Sequence, residues 1–153
     1  MIDLEIEDAS WTAASPGVAD LARIAAEAAL SHAGETGGAV ILLTDDDAVA
    51  ELNQQFRDKA GPTNVLSFPA PPNPEAHLGD IALAYGVCAR EAAEQGKPLD
   101  HHLQHLVVHG VLHLVGYDHM TDAEAGEMEA LERQVLAGLG VPDPYAAEQG
   151  DDV

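Results

Sequence analysis

An α+β fold is predicted for this chain, with about five helices packed on a small, mixed, four-stranded sheet. Four short stretches carry strand-like patterns, and five longer ones carry helical apolar stripes. Glycine, proline or a capping residue stands at most of the boundaries between them. The 153 residues fit one domain, expected over residues 1–148, with a frayed tail at 149–153. A domain of this size buries roughly 68–70% of the surface its unfolded chain exposes and needs no disulfide.

Residues 2–7 alternate apolar and polar, as an edge strand does. Ser15 then Pro16 read as an N-cap and a first helical residue. The stripe Val18, Leu21, Ala22, Ala25, Ala28 and Ala29 carries that helix to about Ala33, and Gly34 ends it. Residues 39–43 form a continuous apolar run, expected as a buried strand. Thr44 is read as the cap of a second helix, whose first turn holds three aspartates where the helix dipole favours them. That helix reaches about Gln55, and a loop is expected over 56–63. Residues 64–68 and 78–84 are the remaining strands, separated by a proline-rich loop. A helix over 85–95 is stopped by Gly96 and Pro98. The helix over 99–115 is apolar on most sides and is therefore expected to be central. Thr121 and Glu124 make a capping-box pattern for a last helix to about Leu139.

The charge balance is extreme, with 27 acidic residues against 6 basic and a formal net charge of −21. Such a surface repels polyanions at long range and argues against broad nucleic-acid binding. Cys88 is the one cysteine, so no internal disulfide can form; its apolar neighbours point to a small buried hydrophobe. The acidic N-terminal stretch lacks the basic and apolar regions of a signal peptide, and no apolar run approaches the roughly 20 residues that span a bilayer. No membrane association is expected.

The informative segment is HGVLHLVGYDH, residues 109–119. His109 and His113 are four apart on a helix, about 40° around its axis, so their imidazoles project from one face. Gly116 breaks the helix and lets His119 return as a third nitrogen. Three histidines that leave one position open are the pattern of a catalytic zinc site. One divalent ion is therefore expected, zinc before the copper, nickel and iron that imidazole also suits. Ordinary helix histidines would explain two such residues but not three with a glycine turn between them. The spacing equals that of the metzincin proteases, except that their catalytic glutamate is replaced by Gly110, so the protease mechanism lacks its base. His102 and His105 lie near the same face and could line a cleft. His101 and His102 are read as solvated at the helix start, and His32 and His77 as loop or helix-end residues.

The histidine block, followed by an acidic helix with Met128 and Glu129, resembles the signature of the YbeY family of bacterial endoribonucleases. Further blocks agree: Leu52-Asn53, Phe56-Arg57, PTNVLSFP at 62–69, LGDIALA at 78–84, and Asp143-Pro144-Tyr145. The resemblance implies an α+β fold with a metal in a cleft beside the sheet, held by His109, His113 and His119. It also implies that Arg57 is functionally important. The activity it implies is zinc-dependent, single-strand-specific cleavage of RNA, in maturation of the 3′ end of 16S ribosomal RNA and in ribosome quality control. The implied setting is the cytoplasm, with the small ribosomal subunit as partner, joined by a ribosomal protein or an assembly GTPase. Phe56 and Ala60 depart from the family's frequent tyrosine and acidic residue, and no hydroxyl or carboxylate role is assigned there.

The residues themselves permit this chemistry. Arg57 and Lys59 lie close together in a chain with six basic residues, a hint of an anion site. Arg57 is the residue expected to hold a phosphate and offset transition-state charge. Asp118 and Asp80 are both candidates for a general base, and a substrate 2′-hydroxyl as nucleophile would lessen the need for one. The other cations are scattered, so weak binding to free RNA is expected, with a ribosomal partner supplying recruitment. Two other readings stay open: a non-catalytic assembly factor with a structural metal, and a metal-dependent hydrolase of another substrate.

Overall fold

The computed structural model describes residues 2–118 and 120–145. Its order is β1 (Ile2–Ile6), α1 (Ser10–Ala14), α2 (Val18–Ala33), β2 (Gly38–Thr44), α3 (Asp46–Arg57), β3 (Val65–Pro69), β4 (His77–Ala84), α4 (Tyr85–Gln95), α5 (Leu99–Leu114) and α6 (Asp122–Gly138). The sheet runs β1-β2-β4-β3. β1 and β4 are parallel to β2, and β3 is antiparallel to β4, so the sheet is mixed as expected.

Side chains alternate across each strand, and this sorts the core into two parts. Ala39, Ile41 and Leu43 of β2, with Ile81 and Leu83 of β4, join the larger cluster with α2, α5 and α6. Ala82 and Ala84 point the other way and pack with Val49 of α3, Leu66 and Val87. In α5 Leu103, Val107, Val108, Val111 and Leu112 are all fully buried, which makes it the central helix. No helix among the described residues is long and apolar enough to cross a membrane.

Several boundaries differ from expectation. The segment after β1 forms a short helix, α1, around the fully buried Trp11, whose indole N–H donates to the Thr44 carbonyl at 2.9 Å. Its five residues are too few to show a helical period. Ser15 therefore closes α1 instead of capping α2, and Gly17 precedes the first residue of α2. Asp45, not Thr44, caps α3, its carboxylate accepting from the Ala48 amide at 2.8 Å. Thr44 ends β2 and donates its hydroxyl to Glu7 at 3.0 Å. The capping box at Thr121 forms as expected, with both reciprocal bonds at 3.1 Å. The tail expected at 149–153 lies outside the described residues.

Candidate active site

A cleft of about 730 Å³ opens between α5 and the border strand β3. Along α5 the residues His101, His105, His109 and His113 are half-buried while nearly every other position is buried, because steps of four keep to one side of the helix. Three of them, His105, His109 and His113, line the cleft. The His109 and His113 rings lie edge to face with centroids 4.9 Å apart. From the opposite side come Arg57, Lys59 and Ser67, and Asp118 and Tyr145 complete the ends.

Arg57 is the last residue of α3, not a loop residue. The chain turns immediately after it, with Asp58 in the left-handed conformation at φ 53°. The guanidinium reaches over the sheet margin, and its Nη2 donates to the Ser67 carbonyl at 3.0 Å. One arm of the fork is thus fixed, and five N–H donors in a planar group leave others for an anion. Ser67 also donates its hydroxyl to the Gly110 carbonyl at 3.1 Å, tying β3 to α5 beneath the cleft.

Behind the histidines lies Glu132 of α6, which is fully buried. Its Oε2 accepts from His109 Nδ1 at 3.1 Å, and its Oε1 accepts from His105 Nε2 at 2.7 Å and from the Tyr145 hydroxyl at 2.6 Å. Burial pushes this carboxyl up, but the hydrogen bonds from His105, His109 and Tyr145 outweigh it and hold the pKa at about 2. Burial and the Glu132 charge push the Tyr145 hydroxyl well above its ordinary value, so it remains a donor.

Among the described residues no set of three ligating side chains converges. His109 and His113 supply a pair, and His119, the expected third ligand, lies outside the described residues. The pair fits a divalent metal of borderline softness on one structural ground. An acceptor fixed at His109 Nδ1 makes Nε2 the ring's lone-pair nitrogen, the arrangement that metal-binding histidines usually show.

The other candidates separate clearly. Asp118 lines the cleft. Asp80 does not; it is exposed and pairs with His77 at 3.0 Å, on a strand position opposite in facing to Ile81. His102 is buried rather than solvated, because Glu91 of α4 accepts from its Nε2 at 2.9 Å. His32 sits in the last turn of α2 and His77 starts β4, both outside the cleft.

Glu132 went unrecognised in the sequence. Its signal is positional: Met128, Glu132, Val135 and Leu136 are the buried stripe of α6, and a glutamate on such a stripe demands partners. In a chain with 27 acidic residues that signal is easily lost.

A family model for endoribonuclease YbeY matches residues 6–140. Among curated relatives, an endoribonuclease YbeY of Rhodopseudomonas palustris is 51% identical over 154 residues, covering 95% of this chain and 81% of its own. That of Maricaulis maris is 52% identical over 149 residues, covering 96% and 92%. The solution structure of TM1509 from Thermotoga maritima aligns with a TM-score of 0.59 at 26% identity, over 91% of each chain.

Proposed function

Because the chain belongs to the endoribonuclease YbeY family, we propose that it is a zinc-dependent endoribonuclease of single-stranded RNA. Its role in this reading is maturation of the 3′ end of 16S ribosomal RNA, and ribosome quality control, in the cytoplasm. The observation that carries the reading is the sharing of one cleft by Arg57 and the His109–His113 pair, on facing walls.

A zinc ion held by His109, His113 and His119 would supply Lewis acidity toward a phosphoryl oxygen or acidify a bound water. The chain's own residues do the rest. Arg57, steadied by the Ser67 carbonyl, binds the scissile phosphate and offsets the charge that grows on it. Lys59 adds a second cation at the same wall. Asp118, which lines the same cleft, would accept a proton or orient a neighbouring group. Two of the six basic residues meet in this cleft, while the rest of the surface is dominated by acids. Docking on the small ribosomal subunit, through a ribosomal protein or an assembly GTPase, supplies the binding that so acidic a surface does not.

The test is cleavage of ribosomal RNA by zinc-loaded protein beside Arg57→Ala and His113→Ala. Both variants lose activity, Arg57→Ala by about 10²–10³-fold, and only His113→Ala loses zinc. Cleavage that survives chelation and both substitutions would overturn the reading.

A further inference from the structure

Glu132 stands apart from the groups that face the cleft: it is fully buried, yet it touches two of the histidines that do. An apolar side chain at that place would continue the stripe of Met128 and Val135 and avoid the cost of burying a carboxylate. The charge is retained against that cost, and its contacts indicate why. A carboxylate only accepts, so the imidazole nitrogen it meets must carry the hydrogen. At His109 that nitrogen is Nδ1.

We propose that Glu132 is the positioning residue of the metal centre, fixing the tautomer and ring orientation that turn His109 Nε2 into a ligand, with the Tyr145 hydroxyl holding the carboxylate in place. This rests on the reading of His109 as a metal ligand. The second half explains the Asp143-Pro144-Tyr145 motif. Arg133 Nε donates to Asp143 at 3.2 Å, Asp143 accepts from the Tyr145 amide at 2.8 Å, and the Arg133 guanidinium carbon lies 5.1 Å from the Tyr145 ring centroid. These contacts clasp the segment after α6 so that the phenol is delivered to Glu132 Oε1 at 2.6 Å. His105 occupies the same oxygen, so Oε1 is anchored by two donors and Oε2 is presented to His109.

The experiment uses the full chain as wild type, Glu132→Gln and Tyr145→Phe. Three readouts are taken: the His109 tautomer from long-range nitrogen-15 NMR of metal-free protein at a pH where imidazoles are neutral, zinc affinity by competition with a chromophoric chelator, and the melting temperature. Wild-type His109 is expected as the Nδ1–H tautomer. Glu132→Gln is expected to bind zinc about 10–100-fold more weakly and to move His109 toward Nε2–H, since an amide can donate to Nδ1 as well as accept. Tyr145→Phe, which keeps carboxylate and ring, is expected to show a smaller loss of affinity in the same direction. A wild-type His109 in the Nε2–H form overturns the proposal, and so does a folded Glu132→Gln that binds zinc as wild type does. Should Glu132→Gln fail to fold, the wild-type tautomer decides. Failure of the wild type to bind zinc would sink the metal reading instead, and the tautomer would still settle what Glu132 does to His109.

Discussion

Gly110 stands where zinc proteases of the same histidine spacing keep their glutamate, and the packing gives a steric reason for the difference. A Cβ there would come within 3.1 Å of Ile81 and 3.2 Å of the Ser67 hydroxyl. The position faces the sheet, not the cleft, and its smallness lets α5 lie close to β3 and β4. Gly110→Ala is therefore expected to be destabilising on balance, with overpacking of about 1–3 kcal/mol outweighing the about 0.5–1 kcal/mol that alanine gains over glycine inside a helix, measured by urea unfolding. Equal stability of the two proteins would refute that close-packing account. Cys88 makes a second residue-scale case. It is fully buried, and burial with the nearby Glu91 and Asp46 charges pushes its thiol far above the ordinary value. The native protein should resist thiol-specific alkylation at pH 8 until denaturant is added, and prompt labelling without denaturant would contradict its burial. At this scale the shared facing of His109 and His113 was readable, because helical arithmetic alone puts them on one face. The role of Glu132 was not, because its partners His105, His109 and Tyr145 come from other segments and only tertiary packing brings them together.

Elements were legible where their signals are local. The Thr121–Glu124 box was visible as a sequence pattern and forms as such; Thr121→Ala should destabilise by about 0.5–2 kcal/mol, read from the denaturation midpoint. Boundaries that depend on long-range contacts were not legible. Thr44 looks like a cap by residue type, but its hydroxyl is taken by Glu7 across the sheet and the adjacent Asp45 caps instead. The link between α4 and α5 carries a pH dependence. Glu91 accepts from both His102 and Asn64, joining two helices and the start of β3. Burial lowers the His102 pKa from 6.5, although the Glu91 hydrogen bond opposes it. The unfolded chain therefore takes up this proton more readily than the folded one. The contribution is complete above pH 6.5 and erodes as pH falls below it. His102→Gln should flatten the fall in urea stability between about pH 6.5 and 5, and an unchanged slope would place the pH dependence elsewhere.

The whole molecule combines an ordinary two-sided core with a far from ordinary charge of −21. Self-repulsion among so many carboxylates is screened by salt, so the melting temperature should rise as sodium chloride is raised from about 0.01 to 0.5 M, where the Debye length shrinks severalfold. A melting temperature that falls or stays level would show that the acids are locally compensated. Fold class was legible at this scale because nine of the ten elements among the described residues announce themselves by period or punctuation. Strand order was not. β4 lies between β2 and β3 although β3 precedes it in the chain, and hydrophobic pattern records which strands are buried without recording their neighbours.

That order has a mechanical consequence. Among the described residues β3 is the outermost strand on its side, laddered to β4 alone, and it supplies the Ser67 carbonyl on which Arg57 leans. The opposite wall is a helix sunk in the core. Because the Ser67 hydroxyl also ties that margin to the Gly110 carbonyl of α5, the wall that steadies the guanidinium is coupled directly to the wall that carries the histidines.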